Sequence, residues 1–317
     1  MHIVMGVGVA TLSTVENTTQ MTSPRGRRIL QSFSWNWIGL LPFIIFIFAF
    51  QIFPAFSIVL RSFQDAAGNP TLANITGILN RPTIMGAYGS SILLSLYSAL
   101  GGGLFGFLLA WAITVGGLPG WVRSLILSFS GVASNFGGVP LAFAFVATLG
   151  SLGVVTVALK NIGVFLYPDF KLSGFWGLVI VYIYFQIPLM VLIMVPAFEG
   201  LRREWREASE NLGATSFQYW RFVALPILLP SILATVALLF GNAFGAQATA
   251  AALTGGGAGA NLVVTVAVSN QFRTDALGDP GLGNALAFGM IVVMAITIAI
   301  YSLFRRFSDR WLKVGGE

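Results

Sequence analysis

Few side chains in this sequence are equipped for chemistry, and their positions restrict what the chain can do. Its three lysines, Lys160, Lys171 and Lys313, are followed by Asn, Leu and Val, so none completes the G-x-x-x-x-G-K-[ST] phosphate loop. There is no Cys, and the single His is His2. That excludes disulfides, thiolate nucleophiles, a His-based triad and a His-based metal site, and no catalytic residue is assigned. The eleven acids, Glu16, Asp65, Asp169, Glu199, Glu204, Glu207, Glu210, Asp275, Asp279, Asp309 and Glu317, all fall outside the long apolar runs or at their edges. Proton relays and charge-paired cation sites within a membrane need ionisable groups inside it, so proton-coupled transport by this chain alone is disfavoured. What lies inside the apolar runs is neutral: Asn135, Gln186, Asn242 and Gln247. Such groups either line a path, offering hydrogen bonds without tight binding, or bond between helices. The small residues of GNAFGAQATA around Asn242 and Gln247 leave space and favour the path.

The elements that must position these groups follow from hydropathy. Of 317 residues 56% are hydrophobic and only 9% charged, with a mean hydropathy of +0.84. A soluble domain carries about 25% charged residues, so this chain is read as an all-α membrane protein. Six helical spans are predicted: Ile38–Leu60, Tyr88–Val115, Val122–Leu149, Phe175–Phe198, Leu225–Leu253 and Asn284–Phe304. Each supplies the roughly 20 apolar residues a crossing needs. The divisions are then an N-terminal tail (1–37), a first span with its outer loop (38–87), a five-span core (88–304) and a C-terminal tail (305–317).

An even number of spans puts both termini on one side. With that side cytoplasmic, Arg25, Arg27, Arg28, Arg123, Arg202, Arg203, Arg206, Arg221, Arg305, Arg306, Arg310 and Lys313 fall inside. Arg61, Arg81, Lys160, Lys171 and Arg273 fall outside, the asymmetry that the positive-inside rule requires. The net charge of +6 is thus spent on topology, and no nucleic-acid partner is expected. No Lys or Arg precedes the short apolar run Ile3–Ala10, so it lacks the basic start of a signal peptide; residues 1–37 read as a disordered cytoplasmic tail, with Met21 as an alternative start.

Several spans carry breaks: NFGGVP (Asn135–Pro140) in the third, Gln186–Pro188 and Pro196 in the fourth, and Pro54 in the first. Freed backbone groups there need neighbouring helices or a wet cavity. Gly102–Gly106 and Gly241–Gly245 are GxxxG pairs suited to close helix packing. The outer loops at 61–87, 150–174 and 254–283 are rich in Gly, Pro, Asn and Asp, and Thr254–Asn261 reads as a mobile loop.

The one long charged segment is Glu199–Pro230, EGLRREWREASENLGATSFQYWRFVALPILLP. Leu201–Leu212 is predicted helical, with Glu and Arg spaced for i,i+3 and i,i+4 pairs. Gly213 fits the position after a helix C-terminus where φ is positive. Thr215 or Ser216 can cap a second short helix through Trp220 or Arg221, and Pro226 marks its handover to the next apolar run. A helix–glycine–helix bracket between two spans is a docking element for a partner.

This segment resembles the EAA loop of binding-protein-dependent ABC importer permeases. Glu207, Ala208, Gly213, Leu225 and Pro226 match the family's pattern, while Ser209 replaces the second Ala and Val223 the usual Ile. The resemblance covers roughly Ser90 to Leu303. It implies the type I importer permease fold with a cytoplasmic coupling helix over 199–226, in a bacterial inner membrane. On that resemblance Glu207, Ala208, Ser209 and Gly213 shape the helix seated in an ATPase, Arg202, Arg203 and Arg206 contact the ATPase surface, and Leu225 and Pro226 close the motif. The implied partners are a cytoplasmic ABC ATPase dimer, a second permease subunit (paralogue or self) and a periplasmic or lipid-anchored solute-binding protein. ATP and Mg would be bound by the ATPase, and no cofactor by this chain. Three stretches, Asn135–Gly150, Phe175–Trp205 and Leu238–Gly256, are most similar to the polyamine (spermidine/putrescine)-type permeases. An ATP-independent channel or carrier and a non-transporting membrane scaffold are the alternatives to an importer subunit.

Overall fold

A backbone surrounded by hydrocarbon has only protein to bond to, and helices satisfy every interior N–H and C=O. The computed structural model describes residues 36–255, 263–272 and 279–313, with side chains from 39 to 306 within those ranges. Among the described residues the fold is helical, and its single β contact is a Gln64–Pro70 bridge in a turn. The expectations for residues 1–35 and for most of Thr254–Asn261 fall outside the described residues.

The chain divides after Phe53 into two units. In the first, α1 (Asn36–Ile47) runs into a five-residue π-turn, Phe48–Ile52, in which the Phe53 N–H donates to the Phe48 carbonyl. The helix continues as α2 (Phe53–Ser62), giving an apolar span over Gly39–Ser62. Pro54 therefore does not interrupt the first span as predicted. A helix can accommodate a proline by widening the turn before it, where the lost N–H and the ring would otherwise clash with the ladder.

The second unit, from Pro54 onward, holds the rest of α2, then α3 (Ala73–Leu79), α4 (Pro82–Val115), α5 (Gly120–Ala133), α6 (Gly138–Leu149), α7 (Val154–Asn161) and α8 (Phe175–Glu199). It continues with α9 (Arg203–Asn211), α10 (Ser216–Tyr219), a second π-turn (Trp220–Ala224), α11 (Leu225–Gly245), α12 (Ala248–Thr254), α13 (Val264–Gln271) and α14 (Pro280–Lys313). Among the described residues six helical stretches are long and apolar enough to cross a membrane: Gly39–Ser62, Pro82–Val115, Gly138–Asn161, Phe175–Glu199, Ser216–Gly245 and Pro280–Arg306.

Three of these differ from the predicted spans for identifiable reasons. Val122–Leu149 is not one helix: Ser134–Gly137 separates α5 from α6, Gly138 has φ +73°, and the apolar length runs on instead through α7. The fourth span is uninterrupted, because α8 carries both Pro188 and Pro196 inside one continuous helix held by packing on several sides. The fifth stops at Gly245 rather than Leu253, and Ala246 takes an extended conformation before α12 begins. The segments read as outer loops also contain structure, as in α13, which buries Val264, Thr265, Val266 and Ala267, and the C-terminal tail is helical as far as Lys313.

The centre of the fold is α8, whose N-terminal half packs Leu178, Tyr182 and Phe185 with Leu94, Leu141, Ala243 and Val266. Its other half packs Met190, Met194 and Phe198 with Ala99, Ala110, Ile113 and Leu228. The contact with α4 is closest at the first GxxxG pair. A Cβ on Gly102 would lie 2.3 Å from Gln186 Cβ, and one on Gly106 would lie 2.5 Å from Met190 Cβ. These contacts rise in step along both helices, so α4 and α8 run parallel, as the second and fourth spans of an alternating chain must. The second pair behaves differently: Gly241 meets Met294 at an ordinary 3.5 Å, and nothing lies within 4 Å of a Cβ on Gly245.

Candidate functional site

The charged segment forms two short helices joined by a turn whose backbone N–H groups from Leu212 to Thr215 are all bonded. In α9 the pairs Arg203–Glu207 (3.0 Å) and Arg206–Glu210 (2.9 Å) bridge successive turns along exposed faces. Exposed pairs of this kind contribute only about 0.3–0.5 kcal/mol each, so they orient the face more than they hold it. The helix ends in a Schellman motif: Gly213 N–H donates to the Glu210 carbonyl and Ala214 N–H to that of Ser209. Gly213 sits at φ +79° to make this possible. Ser209 is buried, and its hydroxyl donates to the Arg206 carbonyl at 2.7 Å.

Thr215 then opens α10 with a capping box, its hydroxyl accepting from Gln218 N–H while Gln218 Oε1 accepts from Thr215 N–H. Around the turn Glu207, Ala208, Leu212 and Phe217 are exposed, Leu212 at 88%. Arg202 lies 5.8 Å over the Trp205 ring. The result is a rigid, exposed bracket of charge and apolar side chains.

The predicted handover at Pro226 is seamless. Leu225 N–H donates to the Trp220 carbonyl across the π-turn, and α10 flows through it into α11, which begins one residue before the proline, the arrangement already seen ahead of Pro54. Trp220, half-buried, is the anchor. Its ring meets Trp111 of α4 at 6.1 Å and Phe198 of α8 at 6.2 Å, and Phe198 meets Phe107 at 5.2 Å. A second tie is the ion pair between Arg123 at the start of α5 and Glu199 at the end of α8. Neither role was read from the sequence. A Trp seven residues past a glycine and a lone Arg at a span edge carry no local pattern, and only the pairing of α4 with α8 brings their partners near. Trp220→Ala is expected to lower thermal stability in detergent, by no more than about 3 kcal/mol because the ring is only half-buried, with Trp220→Phe retaining most of it. A wild-type melting temperature in the alanine variant would show the cluster to be incidental.

The four predicted path residues separate. Gln186 is fully buried and its Nε2 donates to the Leu239 carbonyl at 2.8 Å, tying α8 to α11. In this structure Gln186 ties two helices together and does not face the cavity. Asn242 is exposed and lines a cavity of about 800 Å3 with Leu189, Gly241, Gly245, Ala246, Met294, Thr297 and Tyr301, between α8, α11 and α14. Asn135 and Gln247 stand exposed in the two helix breaks, Ser134–Gly137 and Ala246–Gln247. Asn135 Nδ2 donates to the Gly131 carbonyl at 3.1 Å.

The breaks themselves meet. Thr249 Oγ1 accepts from Gly138 N–H at 2.8 Å and donates to the Gly138 carbonyl at 3.2 Å. The Ala246 carbonyl, freed by the end of α11, accepts from the Tyr182 hydroxyl at 2.8 Å. Protein groups therefore satisfy the backbone at the break, as a span inside a bilayer demands. Among the described residues no group of three or more His, Cys, Asp or Glu could hold a metal ion.

A bundle of spans with interrupted helices, a mostly apolar cavity into which Asn242 and Thr297 bring neutral polar groups, and an exposed two-helix bracket defines a membrane permease built to be driven by a partner. Residues 91–314 match the model of one family, described as "Binding-protein-dependent transport system inner membrane component", and the chain belongs to that family. It is similar to the sulfate transport system permease protein CysT of Salmonella typhimurium, 28% identical over 229 residues covering 71% of this chain and 76% of that one. The Synechococcus elongatus protein of the same name is 27% identical over 285 residues, covering 88% and 95%. The spermidine/putrescine permease PotB of Haemophilus influenzae is 29% identical over 184 residues, covering 58% of each chain. Among solved structures, a bacterial ABC transporter involved in alginate import superposes with a TM-score of 0.63 at 20% identity, covering 87% of this chain and 95% of that one. The fold is thus that of ABC importer permeases, and the chain is a multi-pass inner-membrane permease subunit rather than an enzyme.

Proposed function

We propose that this chain imports an inorganic oxyanion of the sulfate type as one permease of an ATP-driven importer. An external binding protein delivers the solute to the outer face, and a separate ATPase dimer binds ATP and Mg. Closure of that dimer draws together the brackets of two permease subunits, this one and a paralogue or second copy, and turns the pair outward; hydrolysis returns it. Arg202, Arg203 and Arg206 meet the ATPase surface, and Glu207, Ala208, Ser209 and Gly213 shape the seated helix, with both termini on the ATPase side by the distribution of basic residues.

The observation that carries the substrate class is the absence of acids from the described spans, apart from Glu199 at the very end of α8. A polyamine bearing several positive charges finds no counter-charge along such a path, whereas an oxyanion meets no carboxylate to repel it and neutral donors in Asn135, Asn242 and Gln247. The similarity to proteins named as sulfate permeases, which extends over more of the chain than that to the polyamine permease, supports the same class.

The test is uptake by vesicles holding the purified complex with its binding protein. Sulfate tracer should enter only with ATP inside, and excess spermidine should not compete. Spermidine uptake that sulfate leaves untouched would restore the polyamine reading. Uptake by the chain alone would replace the importer with a carrier.

A further inference from the structure

The two helix breaks lie 111 residues apart in sequence, yet a single hydroxyl closes them on each other, bonding both backbone groups of Gly138. Each break has a reason to be a hinge rather than a fault. Gly138 sits at φ +73°, a conformation few other residues adopt, and Pro140 two positions on forbids the helix from extending back through it. Across from it, α11 ends, Ala246 is extended, and α12 begins only at Ala248. The large cavity lined by Asn242 reaches as far as Ala246 and so ends beside this junction. Of the contacts between α6 and α12, the Thr249 bonds are the polar ones, and a two-bond tie can be made or lost without unfolding either helix.

We propose that Thr249 latches the end of the translocation cavity: its bonds to Gly138 hold the two breaks together in the resting permease, and solute passes when α6 and α12 part. This inference rests on the importer reading given above. Thr249 is a positioning residue in it, setting the balance between closed and open states without touching solute.

Two variants test the latch in the complete complex. Thr249→Val keeps the shape and removes both bonds, and Thr249→Ser keeps the hydroxyl. Losing bonds of ordinary strength should shift the closed–open balance roughly three- to tenfold. The valine variant should therefore raise ATPase activity without binding protein, and ATP-independent sulfate leak, by that factor, while serine stays near wild type. Equal behaviour of valine and wild type, or of valine and serine, overturns the latch.

The second variant uses the chain's lack of cysteine. A Cβ on Gly138 would lie 3.6 Å from that of Ala248, within the span a disulfide bridges. Cysteine is strained at the φ +73° of Gly138, so the reduced Gly138→Cys/Ala248→Cys variant serves as its own reference: oxidation should abolish the uptake and binding-protein-stimulated ATPase activity that the reduced variant retains, and reduction should restore that level. Full activity of the cross-linked pair sinks the proposal. If wild type hydrolyses ATP but takes up no sulfate, the substrate class is wrong, and the ATPase readouts of both variants still decide the latch.

Discussion

Gly106→Leu is expected to leave little correctly assembled protein in the membrane. A Cβ at this position would stand 2.5 Å from Met190 Cβ and 2.7 Å from the Ile187 carbonyl, and a backbone oxygen in α8 cannot rotate out of the way. The neighbouring Gly102 is as tight, with Gln186 Cβ at 2.3 Å, so α4 cannot slide one turn to relieve the overlap. The only relief is to separate α4 from α8, the most extensive helix contact in the fold, and to open the core around Met190, Met194 and Ile113. Overpacking a well-filled interior costs about 1–3 kcal/mol for a few added atoms, and Gly106→Ala should sit in that range with a lowered melting temperature. Leucine adds three further carbons and should aggregate or elute as misfolded protein. Gly245→Ala is the matched control, since nothing lies within 4 Å of its Cβ. A Gly106→Leu variant with wild-type elution and melting would mean that the α4–α8 interface is not the keystone it is taken to be here.

The contrast between these glycines marks where sequence reading stopped. Both GxxxG pairs have the same spacing and the same apolar surroundings, so both were legible as packing faces. Whether a neighbouring backbone comes near is decided by tertiary contact, and only Gly102–Gly106 meets one. The same limit explains the prolines. Pro54, Pro188 and Pro226 each announce a local defect, but a widened turn or a packed flank can absorb it, and neither leaves a trace in composition. By contrast NFGGVP combines two glycines, one needing positive φ, with a proline, and that pattern does break the helix. The six spans were legible because twenty apolar residues have one stable arrangement in lipid. The buried α13 was not, because eight residues between two Gly-rich stretches read as a loop. Among the polar residues, type alone could not divide Gln186, enclosed and tied to Leu239, from Asn242, facing a cavity.

Gly213→Val is expected to cut uptake at least tenfold while leaving membrane insertion and thermal stability close to wild type. The mechanism is conformational rather than steric, since a Cβ at Gly213 meets nothing within 4 Å. At φ +79° an ordinary side chain costs about 1–2 kcal/mol, and a β-branched one more. No packing at this exposed turn resists the strain, so it relaxes by giving up the Gly213–Glu210 and Ala214–Ser209 bonds, and the angle between α9 and α10 changes. Because Thr215 caps α10 independently and α10 runs unbroken through the π-turn into α11, the helices on either side stay formed; what is lost is the shape of the bracket, which under the proposed function meets the ATPase. Gly213→Asn separates this account from simple crowding at the partner surface: asparagine tolerates the left-handed conformation, so it should retain most uptake despite its larger side chain. Paired measurements of uptake and of ATPase co-purification decide it. Normal uptake in the valine variant would remove the turn from the coupling path, and equal failure of asparagine and valine would assign Gly213 to direct contact with the partner instead.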